Sequence, residues 1–273
     1  MASSGSGYDL SAATFSPDGR IFQVEYAGKA VENAGTVIGI HAKDGVVLGV
    51  AKPLYHKMIV PTTASYKRIH TVDVHAGVAT TGFLPDARVL VGRAQEEAAD
   101  WQEHYGSKVP PHVLADRLGH YVHYFTLHGA LRPFGASCVL GGYDVDTKEC
   151  GLYMLEPNGA AYKYYGVATG KGKQVAKTEL EKLNLHKQDA ESSMDVATAV
   201  KNVAKILILL HKENKDSDGK PMELELSWIC EASKWKHAPI PKDVLTAAKE
   251  WANEQLEEED EDDEEEEEAM EEG

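Results

Sequence analysis

The sequence predicts an α+β protein built as a four-layer αββα sandwich of two antiparallel sheets. Short β-branched runs occur in pairs joined by turn residues, which is typical of antiparallel hairpins. Helical patterns also occur in pairs and follow groups of strands, which argues against alternating βαβ units and a parallel sheet. With 42% hydrophobic residues among 273, the chain can also bury a sizeable core.

The chain opens with a polar arm, a tight turn and a short helix. The residues from Ser16 to Gly19 read Ser-Pro-Asp-Gly, in which Pro fixes φ, Asp can bond to nearby backbone and Gly tolerates a positive φ. Apolar residues then follow at helical spacing and predict a helix over residues 20–32: Ile21, Val24, Ala27 and Val31. An arm outside the core is free to contact something else.

Two hairpins and two helices make up the first half of the body. The predicted strands span residues 35–41, 45–51, 68–72 and 75–81, with Asp44-Gly45 as the clearest turn signal. The first helix opens at Leu84-Pro85 and ends before Gly106. Its expected apolar face consists of Val89, Ala94, Ala98 and Trp101. The second helix follows Pro110-Pro111 and runs to about His128.

The second half repeats the order of strands before helices. Strands are expected over residues 134–143, 151–155 and 160–167, and helices over residues 171–184 and 192–213. A loop at Asp216–Gly219, a strand at Glu223–Cys230 and a last helix from Pro241 through Trp251 complete the pattern. Strand groups and helix pairs therefore alternate along the whole chain.

The negative charge is concentrated at the C-terminus. Residues 257–273 contain fourteen Asp or Glu and no Lys or Arg, which leaves 30 acids and 28 bases elsewhere, although the whole chain carries −16. Like charges repel and little apolar surface is present, so the segment is predicted to be disordered, with docking of basic partners as an alternative. Such a tail repels phosphate backbones, and we expect no nucleic-acid partner.

Cysteine usage and hydropathy favour a soluble intracellular protein. Cys138, Cys150 and Cys230 are odd in number and far apart, so they indicate small buried residues rather than disulfides or a metal site. The N-terminus lacks the basic and apolar regions of a signal peptide. The longest apolar run, Ile206–Leu210, is too short to span a bilayer.

Two motifs suggest ligand chemistry but fail on spacing. The run Gly166–Lys173 resembles a phosphate-binding loop, yet it has three residues between glycines and no Ser or Thr after Lys171. A strand-to-helix turn is therefore predicted there. His120, His123 and His128 lack a carboxylate or thiol at ligand spacing, so a helix face packed on a neighbouring layer is expected. We expect no cofactor and no metal.

The N-terminal run resembles the signature of 20S proteasome α subunits. It reads Tyr8-Asp9-Leu10, then Phe15-Ser16-Pro17-Asp18-Gly19-Arg20-Ile21-Phe22-Gln23-Val24-Glu25-Tyr26-Ala27. The resemblance covers the chain to about residue 250 and implies the N-terminal-nucleophile hydrolase form of the sandwich. Segments 176–183 and 222–228 and the acidic tail are most similar to one subfamily, the α type-3 isotype, which occupies the seventh ring position.

The resemblance raises the question of catalysis. Catalytic β subunits of the family use a processed N-terminal threonine, whose amine is the base and whose hydroxyl attacks the peptide carbonyl. Gly35-Thr36-Val37-Ile38-Gly39 resembles their first strand, but the matching register places Gly35, not Thr36, at the nucleophile position. The acidic partner is missing at Val50-Ala51-Lys52. No catalytic residue is therefore expected.

The family implies two sites of interaction instead. Tyr8, Asp9, Pro17 and Tyr26 match a cluster in which Tyr and Asp of one subunit meet Pro and Tyr of its neighbour, and we expect them to form a gate. Residues 1–7 are expected to plug the axial pore. Arg68, or Lys67 with an uncertainty of one position, matches a basic residue that pairs with the terminal carboxylate of activator tails.

The resemblance also implies domains, partners and location. The expected parts are a gate arm (1–19), an αββα domain (20–252) and an acidic disordered tail (253–273). Expected partners are other α subunits in a heteroheptameric ring, β-ring subunits, and the ATPase regulatory particle or other activators, with neither nucleic acid nor membrane. The expected location is cytoplasm and nucleus. An autonomous threonine hydrolase and a free acidic adaptor or chaperone are the alternatives.

Overall fold

The computed structural model describes residues 7–53, 58, 60, 66–186, 194–214 and 222–271. Within these ranges the helices are α1 (Phe22–Glu32), α2 (Leu84–Tyr105), α3 (Pro111–Leu127), α4 (Lys173–Lys182), α5 (Val196–Glu213) and α6 (Lys242–Glu271). The strands are β1 (Val37–Ala42), β2 (Gly45–Pro53), β3 (Ile69–Asp73), β4 (Ala76–Gly82), β5 (Ala136–Tyr143), β6 (Cys150–Leu155), β7 (Ala161–Lys163), β8 (Gly166–Thr169), β9 (Met222–Cys230) and β10 (Ala238–Pro239). The predicted loop at 216–219 and residues 1–6 of the predicted plug lie outside the described residues.

The strands form two antiparallel five-stranded sheets. The first sheet has the order β10-β9-β2-β1-β8, and the second has the order β3-β4-β5-β6-β7. The first hairpin pairs Val37 with Val50 and Ala42 with Gly45, so its turn lies where the Asp44-Gly45 signal predicted it. The predicted pair of antiparallel sheets is therefore confirmed.

Three apolar cores join four layers. The core between the sheets takes alternate residues of facing strands, including Val37, Leu48, Val139, Leu152 and Ile229. Because neighbouring strand residues point to opposite faces, Ile38 and Val47 lie on the outer face, under α5 and α6. Helices α2 and α3 cover the outer face of the second sheet in the same way. The αββα sandwich is confirmed.

The predicted strand at 160–167 is wrong as a single element. Residues Ala161–Lys163 pair with β6 in the second sheet, whereas Gly166–Thr169 pair with β1 in the first. The chain changes sheets at Tyr164 and Tyr165. Tyr162, Tyr164 and Tyr165 continue one aromatic run through this change, so the pattern could not show where one strand ends and the next begins.

The buried face of α2 differs from the predicted one at Val89. That side chain is 48% exposed, while Ala87, Leu90, Ala94 and Ala98 are buried. These four positions follow one stripe at a period of 3.6 residues, and Val89 lies well off it. Ala94 and Ala98 were predicted correctly, and the αL conformation of Gly106 ends the helix as expected.

The last helix extends further than the sequence predicted. We expected it to end at Trp251 and the disordered tail to begin at residue 253, but α6 continues to Glu271. Leu256 is buried against the rest of the protein, and Lys205 Nζ of α5 lies 2.5 Å from Glu259 Oε1. Because Glu and Leu are good helix formers and Leu256 is packed, the helix continues past Trp251.

The outer edge of β3 is bonded to side chains and loops of other elements. The Glu225 carboxylate of β9 accepts from Ile69 N at 3.3 Å. Gln95 Nε2 of α2 donates to Thr71 O at 2.9 Å, and His237 N donates to Val74 O at 2.8 Å. Backbone groups at the start, middle and end of this edge strand are therefore occupied.

Candidate functional site

The turn that precedes α1 is held by Ser16. Its Oγ donates to Asp18 Oδ1 at 2.5 Å and accepts from Arg20 N at 3.0 Å. The bond from Ser16 lowers the pKa of the Asp18 carboxyl. Gly19 has a φ of 79°, so the turn uses the backbone freedom predicted for Ser-Pro-Asp-Gly. Pro17 is thereby presented on the outside of a fixed turn.

The arm before the turn lies along α1. Gln23 Nε2 of α1 donates to the backbone carbonyl of Asp9, and sequence reasoning did not identify this contact. Leu10 is 87% exposed and Phe15 is 65% exposed, and Tyr8 is also exposed. The backbone of the arm is therefore attached to the domain while its large apolar side chains face outward.

The four predicted gate residues lie near the N-terminus, but they do not form one network of contacts within the chain. Tyr26 packs on Phe22 of the same helix, with ring centroids 6.2 Å apart, and Lys29 Nζ lies 5.8 Å from the centre of the Tyr26 ring. Among the described residues, no hydrogen bond joins Tyr8, Asp9 and Tyr26. A latch made of these residues would therefore need groups from a second subunit.

Helix α1 is attached to the domain through its buried face and at its C-terminal end. Ala27 and Val31 are its buried residues, as the spacing predicted. At its C-terminal end, Glu32 Oε1 lies 2.5 Å from Lys173 Nζ at the start of α4. The segment that carries Tyr26 and holds Asp9 therefore has a defined place on the sandwich.

The two basic candidates occupy different surroundings. Lys67 is exposed and lines a groove of about 510 Å³ between the edge strands of the two sheets. Arg68 is half-buried and lies at a separate small cleft with Lys52 and Tyr66. Thr80 donates to Arg68 O through both its amide, at 2.9 Å, and its hydroxyl, at 3.1 Å. The backbone of Arg68 is thus part of the sheet.

Sequence reasoning missed two charged residues beside Arg68. Glu225 Oε2 accepts from Arg68 N at 3.0 Å and lies 3.1 Å from Lys52 Nζ. The Lys52 side chain is only 4% exposed, although its ammonium group carries charge. Two features of the sequence could have indicated these residues. Lys52 is a lysine in an apolar strand, and Glu225 is a glutamate in the alternating run Met222–Trp228.

Thr36 lies immediately before β1, and its side chain is buried and hydrogen-bonded. It is 7% exposed, and its Oγ accepts from Gly172 N at 3.1 Å. The preceding carbonyl, Gly35 O, accepts from Thr81 Oγ at 2.5 Å. An N-terminal nucleophile at Thr36 would require cleavage of the bond between Gly35 and Thr36.

The glycine-rich run at 166–173 is a strand-to-helix turn, as predicted. It joins β8 to α4, and Gly170 has a φ of 112°, which only Gly adopts easily. A Cβ at Gly172 would lie 2.7 Å from Leu210, so the turn packs closely on α5. Lys173 pairs with Glu32, and the run serves the contact between α1, α4 and α5.

The three histidines of α3 do not pack on another layer, so that prediction is wrong. All three side chains are exposed. His120 Nδ1 and His128 Nδ1 donate to the carbonyls four residues earlier, at 2.9 and 3.0 Å, and His123 Nδ1 shares a bond with Thr126 Oγ at 3.0 Å. They lie opposite the buried stripe of Leu114, Leu118 and Val122, which the apolar pattern did place correctly.

The cysteines are buried, as predicted. Burial raises the pKa of the Cys138 and Cys150 thiols to about 12. No group of three or more metal-binding side chains occurs within the described ranges. In the same ranges, every helix falls short of the length and apolar character needed to cross a membrane.

Comparison with known proteins extends over nearly the whole chain. Residues 31–226 match the family model described as proteasome subunit, and residues 8–30 match the model that describes the N-terminal signature of A-type proteasome subunits. The chain is 52% identical over 258 residues to proteasome subunit alpha type-3 of Arabidopsis thaliana, covering 94% of this chain and 98% of that protein.

Relatives from other eukaryotes agree. The probable proteasome subunit alpha type-7 of Schizosaccharomyces pombe is 46% identical over 92% of this chain and 94% of its own length. Proteasome subunit alpha type-3 of Drosophila melanogaster is 38% identical, with the same two coverages. The signature over residues 8–30 contains the arm, the turn and most of α1, which are the elements that the site is built from. The chain belongs to the proteasome subunit family and is of its α type.

Proposed function

We propose that this chain is a non-catalytic subunit of the outer α ring of the 20S proteasome, where it closes and gates the axial substrate pore and helps to dock regulators. The observation that carries the proposal is the N-terminal arm. Gln23 binds the Asp9 carbonyl, while Leu10 and Phe15 present apolar surface outward. Such a surface suits a neighbouring subunit, because isolated chains rarely keep large apolar groups exposed together.

Gating fits the chemistry of the four candidate residues. A phenol that donates to a carboxylate, with an aromatic ring packed on proline, forms a small network that can exist in two states. Tyr8 and Asp9 would come from one subunit, and Pro17 and Tyr26 from the next. The Ser16 turn and α1 hold the second pair in place, while residues 1–7 supply plug material over the pore.

The surroundings of Thr36 support the absence of catalysis. Its hydroxyl accepts a hydrogen bond from Gly172 N, and the preceding carbonyl, Gly35 O, accepts one from Thr81 Oγ. An N-terminal threonine hydrolase would require cleavage before Thr36, with removal of α1 and of the whole arm. Intact-mass measurement tests this alternative, since a processed N-terminus at Thr36 would contradict the proposal.

Docking of regulators is assigned to the basic pair. Arg68 is our first candidate for pairing with the terminal carboxylate of an activator tail, and Lys67 is the second. The partners would be neighbouring α subunits, the β ring beneath, and the ATPase regulatory particle or another activator. The proposed process is ubiquitin-dependent and ubiquitin-independent protein degradation, in cytoplasm and nucleus.

Deletion of residues 2–9 tests the gate. Assembled particles that carry this deletion should hydrolyse short peptides faster than intact particles in the absence of activator, because the plug and half of the latch are gone. Deletion of residues 266–273 is the matched control, since it removes the same length from the other end and should leave basal hydrolysis unchanged. Unchanged basal hydrolysis in fully assembled arm-deleted particles would count against gating.

Native size tests ring membership itself. A ring subunit co-purifies in a particle of several hundred kilodaltons, on the order expected for stacked heptameric rings. A free acidic adaptor or chaperone runs instead as a monomer of 29.8 kDa. Sizing chromatography of the chain from its own cells separates the two.

A further inference from the structure

Glu225 connects the two sheets at the start of β3. It lies on β9 of the first sheet, and its carboxylate reaches the backbone that enters the second. Oε2 accepts from Arg68 N at 3.0 Å, and Oε1 accepts from Ile69 N at 3.3 Å. One carboxylate therefore binds two successive amides, which fixes the position of that backbone more firmly than a single bond would.

The Glu225 carboxylate also forms an ion pair with Lys52. Lys52 Nζ lies 3.1 Å from Glu225 Oε2 and 3.4 Å from Glu223 Oε2. It also lies 5.0 Å from the centre of the Tyr66 ring. Because Lys52 is almost completely buried, its ammonium group has little freedom, and Glu225 is held between the lysine and the Arg68 amide.

We propose that Glu225 is a positioning residue for regulator docking, and this rests on the proposed function, in which Arg68 binds a terminal carboxylate. Arg68 has a long side chain with several rotatable bonds, so its pairing with a carboxylate costs conformational entropy. Fixing the amides of Arg68 and Ile69 sets the origin and direction of that side chain. The arginine then loses less freedom when the regulator binds.

The substitution Glu225→Gln tests the proposal in assembled particles. It removes the charge and replaces one acceptor oxygen by a donor, so one of the two amide contacts is lost. We expect the ATPase regulatory particle to bind about tenfold more weakly, as loss of a charge-assisted hydrogen bond produces. Binding is measured as the fraction of particles capped across a titration of regulatory particle.

Glu223→Gln is the matched control. Glu223 lies on the same strand, contacts the same lysine and carries the same charge, but within the described part of the chain its carboxylate makes no hydrogen bond to the Arg68 backbone. We expect it to change the affinity by less than about twofold, because the amides of Arg68 and Ile69 keep both of their acceptor oxygens on Glu225. Equal losses in the two variants would indicate a charge effect and would overturn the positioning proposal.

Arg68→Ala separates this proposal from the function on which it depends. If Glu225 acts through Arg68, Glu225→Gln should cause no further loss of affinity in particles that already carry Arg68→Ala. A full additional loss in that background contradicts positioning. Unchanged docking in Arg68→Ala alone contradicts the docking function, whatever Glu225 does.

Glu225→Asp is a second test, for use if the Glu225→Gln variant does not assemble into particles. It keeps the charge beside Lys52 but is one methylene shorter, so its oxygens retreat from the two amides. Hydrogen exchange of the segment 66–72 in the particle should become faster than in the wild type, and docking should weaken in parallel. Wild-type exchange together with wild-type docking in this variant would overturn the proposal.

Discussion

The imidazole ring of His237 lies so close to the Cα of Gly77 that a Cβ added to Gly77 would overlap it. Gly77 belongs to β4 of the second sheet, and His237 immediately precedes β10 of the first. His237 Nδ1 shares a hydrogen bond with Thr71 Oγ at 2.8 Å, and Nε2 shares one with Ser227 Oγ at 3.0 Å. One polar ring therefore joins the sandwich layers at their open edge.

Gly77→Ala should destabilise the protein by about 1–3 kcal/mol, as overpacking of a tight contact does. The urea dependence of unfolding of the purified chain measures this. Gly92→Ala is the control, since a Cβ at Gly92 has no heavy atom within 4 Å and adds helix propensity. In the double variant with His237→Ala, the cost of Gly77→Ala should largely disappear. Equal effects of Gly77→Ala and Gly92→Ala would contradict the contact.

His237 should also make stability depend on pH. Burial, followed by the nearby charge of His70, lowers the pKa of His237 from 6.5 to about 4. Between these values the unfolded chain binds a proton that the folded chain does not, so stability falls as pH decreases from about 6.5 towards 4. The expected loss is on the order of 2–3 kcal/mol.

The variant His237→Asn isolates that contribution. Its unfolding free energy should fall less steeply than that of the wild type between pH 6.5 and 4.5, when both are followed by chemical denaturation at a series of pH values. The slope will not vanish, because burial also lowers the pKa of His41 and His70. Identical slopes in the two proteins would show that His237 does not titrate as described.

Asp86→Asn should lower the free energy of unfolding by about 1.5–3 kcal/mol. The Asp86 carboxylate forms a bidentate ion pair with Arg132, at 2.6 and 2.8 Å, and accepts a hydrogen bond from Gly135 N at 2.9 Å. The substitution breaks the ion pair and weakens the bond from Gly135 N. The bond from Arg132 holds the pKa of the Asp86 carboxyl below 3.8. Its stabilisation is therefore complete above about pH 3.8 and is lost as pH falls through the folded pKa. The difference in unfolding free energy between the wild type and Asp86→Asn should become smaller as the pH is lowered from 6 to 3.

Glu103→Gln provides the comparison for this pair. Glu103 is exposed on the same helix as Asp86, so its substitution should change stability by less than about 0.5 kcal/mol at either pH. Thermal unfolding of the three proteins, wild type and both variants, gives the comparison. A stability difference between the wild type and Asp86→Asn that stays constant with pH would contradict the ion pair.

Truncation should locate the end of the packed part of α6. A chain that ends at Trp251 loses the buried Ala252 and Leu256 and the contact between Lys205 and Glu259. We expect it to be less stable by about 2–5 kcal/mol. A chain that ends at Glu261 loses nine of the fourteen acidic residues of 257–273 but should unfold at nearly the wild-type temperature. Equal losses in both truncations would contradict the packing of Leu256.

The sequence was sufficient for the architecture because local signals agreed with it. The Asp44-Gly45 turn, the helical spacing of Ala27 and Val31 and the strand pairs each predicted an element that the structure confirms. Binary patterns carry such information when one face of an element is buried. The change of sheets at Tyr164 carries no such signal, because Tyr162, Tyr164 and Tyr165 continue one aromatic run through it.

Prediction of the site was more uneven. The arm, the turn and the candidate Arg68 were predicted from short contiguous motifs that resemble those of the family. Glu225 lies 157 positions from Arg68, and Gln23 lies 14 positions from Asp9. Contacts between distant positions depend on how the two sheets pack, which a single sequence does not specify. The exposed histidines of α3 show the opposite error, in which a cluster suggested burial that the helix phase does not provide.

The bonded edge of β3 has a consequence for aggregation. An extended polypeptide can add itself to any sheet whose outer backbone groups are vacant. At this edge such a polypeptide would find Ile69 N–H taken by Glu225, Thr71 C=O by Gln95 and Val74 C=O by His237. These contacts occupy backbone groups that an added strand would need, so this edge is a poor template for pairing with another chain.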